Sequence, residues 1–102
     1  MVASQMINEQ TKMTADYDSL ADVLYVMLNA PEQVEGDGKA DGIELDYSMK
    51  SGKPCGVTVI GYKQYGWHGK VEKLAKIVGE HLTVQPKIVS SIVDELMTAK
   101  MH

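Results

Sequence analysis

Apolar and polar positions alternate from Met13 to Tyr17, with Met13, Ala15 and Tyr17 on one side and Thr14 and Asp16 on the other. That period of two predicts a β-strand. Past Asp18-Ser19-Leu20-Ala21-Asp22, the stretch Val23 to Leu28 is apolar without a break and rich in β-branched and aromatic types, which suit a pleated surface. Asn29-Ala30-Pro31 closes it too soon for a typical helix, so it reads as a strand with two apolar faces. Val23, Tyr25 and Met27 lie on one, Leu24, Val26 and Leu28 on the other. A half-exposed strand alternates instead, so this one is expected at the centre of a sheet with both faces covered. The carboxylates of Asp18 and Asp22 are expected to fold back onto nearby N–H groups in the turn before it.

Pro31 to Gly42, with its glycines and acids, reads as a mobile acidic loop. Ile43 to Ser48 alternates cleanly and predicts a third strand with one wet face. Lys50 to Pro54 is turn chemistry, and Gly56 to Tyr62 predicts a fourth strand, completing an antiparallel meander. An aromatic, glycine-punctuated connector then leads to helical spacing. Val71, Leu74, Ala75, Ile77, Val78 and Leu82 fall within about 160° of arc, a normal core-facing stripe, although Gly79 weakens this helix or ends it early. Pro86 suits a first helical turn, and a second helix is expected to about Lys100. Its apolar residues Ile88, Val89, Ile92, Val93, Leu96, Met97 and Met101 spread over roughly 220°. One sheet cannot cover so wide an arc, so either the other helix or a second copy of the chain lies alongside. The expectation is an α+β domain over residues 13–102: a four-stranded antiparallel β-meander followed by two C-terminal helices, with residues 1–12 as a flexible N-terminal arm.

The opening pattern resembles a family of small, mostly bacterial proteins grouped as domain of unknown function 2283. Its elements stand here as Tyr17-Asp18, Asp22 and Leu24-Tyr25-Val26, followed by Ile43-Glu44-Leu45-Asp46-Tyr47 and Gly56-Val57. The likeness covers about residues 13–61. That family often places Glu after the Gly-hydrophobic pair, where this chain has Thr58, so an acidic site imagined from the pattern loses a member. The resemblance implies a fold rather than an activity.

At 102 residues, with 44% hydrophobic and 24% charged content, the chain has the size and composition of one globular domain. No apolar run approaches the roughly 20 residues that span a bilayer, no signal peptide is recognisable, and the expectation is no membrane partner. A single cysteine makes no internal disulfide, which fits a reducing cytoplasm. The formal charge is −4, and residues 1–62 hold four lysines against ten acids while the remainder holds six against four. There is no arginine, the residue on which bidentate phosphate and guanine recognition leans, so direct nucleic-acid binding is not expected.

Four groups of residues bear chemistry. The loop Glu35 to Gly42 has an EF-hand flavour, but starting at Asp37 it offers Lys39 third and Ser48 twelfth, where carboxylates are needed. Asp16, Asp18, Asp22, Glu44 and Asp46 come close together if the early strands are neighbours. Paired carboxylates push their pKa values apart or hold a divalent cation, and Asp18, Asp22 and Asp46 form the metal-ligand alternative. No nucleophile, base or phosphate cradle accompanies them, so no catalytic residue and no cofactor is assigned. His68, His81, His102 and Cys55 lack zinc-site spacing; His81 reads as a hydrogen-bonded residue at the core edge and Cys55 as an inert filler.

The fourth group is Tyr62, Tyr65, Trp67 and His68 on the connector, a ligand or partner contact since polar-tipped aromatics favour interfaces, or else core, with Trp67 closing it. Self-association is expected through Leu24, Val26, Leu28, Ile92 and Leu96, giving a homodimer. The functional expectation is a small non-catalytic binding module with an unknown protein or small-molecule partner. The alternatives are a carboxylate-based metal binder or enzyme, and an accessory subunit of a regulatory complex.

Overall fold

The computed structural model describes residues 2–100, with side chains as far as residue 98. Met101 and His102, placed above in the last helix's stripe and among the metal-ligand types, lie outside the described residues. One antiparallel sheet holds six strands: β1 (Val2–Met6), β2 (Lys12–Asp18), β3 (Val23–Leu28), β4 (Val34–Gly38), β5 (Ile43–Ser48) and β6 (Pro54–Ile60). Their spatial order is β1-β2-β3-β6-β5-β4. Two helices follow, α1 (Val71–Leu82) and α2 (Pro86–Lys100). Among the described residues no helix is long and apolar enough to cross a membrane.

The α+β class stands, but the four-stranded meander is corrected to six strands that do not form a single meander. Two things escaped the pattern. Val2–Met6, inside the expected arm, pairs with β2 from Val2↔Asp16 to Met6↔Lys12 and buries only Ala3. Val34–Gly38, inside the expected loop, pairs with β5 although all its residues are exposed. Edge strands held by main-chain bonds need no hydrophobic alternation of their own. The order changes as well. Residues 29–33 carry the chain past the ends of β6 and β5, so β3 pairs with β6 rather than with its successor.

The β2–β3 turn forms as its carboxylates dictate. Asp18 Oδ1 accepts the N–H groups of Leu20 (3.0 Å) and Ala21 (3.1 Å). Asp22, at φ 57°, accepts the Tyr17 hydroxyl at 2.7 Å and the N–H groups of Lys63 (2.9 Å) and Gln64 (3.1 Å). One side chain thus ties the turn to the segment leaving β6.

Both helices lie on one face of the sheet. There Met13, Ala15, Tyr17, Leu24, Val26, Val57, Val59 and Ile43 meet Leu74, Val78, Val89, Ile92, Val93 and Leu96, each large fully buried side chain contributing about 1.5–3 kcal/mol. The wide arc of α2 is covered by α1 as well as by β1 and β2. β3 is central, as expected, but within one chain only its Leu24-Val26 side is covered. Among the described residues no helix covers the opposite face. It carries Val2, Met6, Tyr25, Val34 and Ile60, all substantially exposed.

Candidate functional site: a carboxyl pair on the bare face of the sheet

Strand alternation places Glu44 and Asp46 of β5 on the side away from the helices, while Ile43 and Leu45 point to the core. Cross-strand register then builds two rows. Asp16, Tyr25, Thr58 and Glu44 stand side by side across β2, β3, β6 and β5, and beside them run Thr14, Met27, Gly56 and Asp46. A cavity of about 320 Å³ opens over these rows, walled by Tyr25, Met27, Val34 and the crossing segment Ala30-Pro31-Glu32. That segment is anchored by the Ser48 hydroxyl, which donates to Glu32 Oε1, and by Met49 N–H donating to Gln33 O at 3.1 Å.

Glycine makes the floor. A Cβ at Gly56 would lie 2.7 Å from Val26 O and 3.6 Å from Asp46 Oδ2, so a side chain there would strain the sheet and crowd the carboxylate. On β4, Gly36 leaves the space that the Glu44 side chain occupies. Glu44 therefore lies over the edge strand, next to Asp46.

Asp46 is only 5% exposed. Its Oδ2 accepts the Thr58 hydroxyl at 2.8 Å, while Oδ1 is buried without a hydrogen-bond partner. The Glu44 carboxyl is held above its usual range, first by a hydrogen bond shared with Asp46, then by burial and by the Asp46 charge; Thr58 works against these. Thr58 is the side chain that donates to the pair, and it leaves Asp46 Oδ1 unmet.

Around the pair stand Glu32 on the crossing segment, Tyr25 on β3 and Cys55 on β6. Burial first, then the charges of Glu32 and Asp46, push the Cys55 thiol up, which keeps it protonated and a poor nucleophile. From the helix side, His81 Nε2 lies 3.0 Å from the main-chain oxygen of Asp46, its ring edge-on to Tyr47. The pocket can hold a proton or a cation beside apolar walls; it offers no activated nucleophile.

The structure places the remaining expected residues elsewhere. Asp18 and Asp22 are occupied by the β2–β3 turn, while Asp46 stands in the row of Met27, at the other end of β3. Among the described residues no group of three or more His, Cys, Asp or Glu could hold a metal ion. In the connector, Tyr62 and Trp67 are buried: Tyr62 meets Tyr17 edge-on, and Trp67 Nε1–H donates to Asp41 O at 2.8 Å. Tyr65 and His68 are exposed. Leu24, Val26, Ile92 and Leu96 are buried within a single chain, with Leu28 packed partly against them.

Glu44 was visible in the sequence as part of the acidic set, two residues from Asp46 on an alternating strand. That spacing is the signal that pairs them. The contributions of Tyr25 and Gly36 depend on strand register and left no local trace, and Thr58 stood out only as the departure from the family pattern. No protein-family model matches the chain, and no curated protein or solved structure does.

Proposed function

We propose that the protein is a small non-catalytic binding module whose recognition surface is the uncovered face of its sheet. The observation that carries this reading is the pocket itself, an apolar-walled cavity of about 320 Å³ on a face with no helix over it, with Glu44, Asp46 and Thr58 converging at its base. Pockets of this size and composition suit small molecules or single side chains. The likeness of residues 13–61 to the domain-of-unknown-function family belongs to the same proposal. Its point of departure, Thr58, falls in the pocket and supplies a hydroxyl donor to Asp46 in place of a third carboxylate. A cytoplasmic location agrees with the single buried thiol of Cys55.

The neutral dye Nile red tests the reading. Its fluorescence is expected to rise on the wild-type protein and to fall back in Met27→Glu, which puts a charge on the pocket wall while circular dichroism stays unchanged. An enhancement that Met27→Glu leaves intact would move the binding surface elsewhere.

A homodimer is the second reading, favoured by Val2, Met6 and Ile60, which are exposed on the same face outside the pocket. The contact would then be made by the bare face rather than by the strand and helix residues expected from the sequence.

A further inference from the structure

The Glu44–Asp46 pair sits in a pocket whose lining includes a third acid, Glu32, and no lysine. Its walls are otherwise mostly apolar: Tyr25, Met27, Val34 and Pro31. Asp46 is 95% buried, being 5% exposed, and one of its oxygens has neither a donor nor solvent. A carboxylate in that state is costly unless a positive or hydrogen-bonding partner arrives. Divalent cations demand several oxygens in a shell, and no group of three or more ligating residues is found among those described. A cation that brings its own apolar body fits better, because the walls can cover the body while the acids meet the head.

We propose that this pocket binds a primary ammonium carried on a short aliphatic chain, whose head lies between Glu44 and Asp46. The inference rests on the binding-module reading and names the ligand class for its site. The ammonium N–H groups supply donors to both carboxylates, including the orphaned Oδ1, and the methylene chain lies along Met27, Tyr25 and Val34. Two sources share this chemistry, a free alkylamine and a lysine side chain of a partner.

The proton balance follows. An ammonium beside both acids favours their charged forms, so whatever proton the raised Glu44 carboxyl carries in the empty site leaves to solvent on binding, and the ammonium keeps its own. Affinity therefore rises with pH until Glu44 is ionised in the free protein. The other titratable groups facing the pair are Glu32, whose carboxylate is already engaged by Ser48, the raised thiol of Cys55, and Tyr25. β4 contributes only Val34 and the glycine under Glu44. From the helix side His81 meets the main-chain oxygen of Asp46 rather than its carboxylate. An alkylammonium stays charged throughout the range of interest, since an amine of this kind titrates near 10.4, as lysine does.

Calorimetric titration with n-hexylamine hydrochloride tests the proposal, with n-hexanol, sodium hexanoate and magnesium chloride as comparison ligands. Saturable one-to-one binding of the amine, at least tenfold tighter than the alcohol, the carboxylate or the metal, is expected. Asp46→Asn should weaken it at least tenfold with the fold intact by circular dichroism. Glu44→Gln, which mimics the protonated acid, should remove the rise of affinity with pH. Nα-acetyl-lysine amide separates the sources: binding within threefold of the amine points to a lysine side chain, and much weaker binding to a free alkylamine. An amine that binds no better than hexanol, or more weakly than magnesium, overturns the inference. If Nile red still reports the pocket in that case, the binding module survives; if neither binds, both readings fall.

Discussion

Asp22 holds a backbone conformation that L residues seldom adopt, φ 57°, and its carboxylate meets three donors from two separate segments. Asx residues tolerate that region better than most. Replacement by Ala therefore loses the bonds and the tolerance together, and we expect a destabilisation of about 2–3 kcal/mol by urea titration, against about 1 kcal/mol for Asp22→Asn. The pH dependence has a definite sign. Burial alone would raise the Asp22 pKa, but the donors from Lys63, Tyr17 and Gln64 outweigh it and leave the value below the ordinary 3.8. A depressed carboxylate contributes stability above its unfolded pKa and loses it as pH falls through the folded one. Asp22→Asn should thus flatten acid unfolding below about pH 4. Glu44 works in the opposite direction. Its raised pKa means that the folded state binds the proton more tightly, so this contribution is complete below the unfolded pKa and disappears as pH rises through the folded one. Glu44→Gln should remove that decline on the neutral side. Asp46→Asn carries the sharpest contrast: if its carboxylate waits for a ligand, neutralising it should stabilise the free protein by about 1 kcal/mol at pH 7, raising Tm by roughly 4–8 °C for a domain near this size. A fall in Tm would make Asp46 structural.

At the scale of elements, α1 shows where local rules mislead. Glycine inside a helix normally costs about 0.5–1 kcal/mol against alanine, and on that ground Gly79 was expected to weaken or shorten α1. It does not end the helix early, since α1 continues to Leu82. A Cβ at Gly79 would stand 2.5 Å from Val84 O and 3.2 Å from the Pro86 ring, so the glycine lets the α1–α2 link fold back closely. Gly79→Ala is therefore expected to destabilise by about 1–3 kcal/mol, as overpacking does, despite its better helix propensity; thermal unfolding checks the sign. Legibility follows the same division. β2, β3, β5 and β6 were readable because burial imposes alternation or a continuous apolar run on them. β1 and β4 were not, because an edge strand is held by main-chain pairing that side chains do not record. β4 is Val-Glu-Gly-Asp-Gly, and its Lys39–Asp37 ion pair, at 2.9 Å with both side chains half exposed, adds little. Hydrogen exchange should accordingly find the β4 amides among the fastest in the sheet and those of Leu24 and Val26 among the slowest.

For the whole molecule, the apolar surplus visible in the sequence divides between two destinations. Leu24, Val26, Ile92 and Leu96 enter the layer between sheet and helices, because α1 lies beside α2 and closes the arc that one sheet could not. The other face of β3 finds no such cover among the described residues. Which side of a strand is covered depends on where the helices return, and nothing in Val23–Leu28 specifies that. The same uncertainty hid the pocket, since Tyr25, Thr58 and Glu44 become neighbours only once β3 pairs with β6 and β6 with β5. Val2, Met6 and Ile60 then remain exposed at 61%, 55% and 52% on a face that carries Lys12, Asp16 and Asp18 among them. These side chains are spread from β1 to the end of β6 rather than gathered in one patch, and exposed apolar side chains distributed over an uncovered face among charges suit a broad association surface. A second copy docking by a two-fold axis would set this face against itself. We therefore expect sedimentation equilibrium to show a monomer–dimer exchange in the wild type, and Met6→Lys with Ile60→Lys to yield monomer at every concentration. Both positions are exposed, so the paired lysines should leave the fold intact and, lying outside the pocket lining, should leave Nile red binding there as well. A wild-type protein that stays monomeric at high concentration would leave the pocket as the only recognition feature of this face.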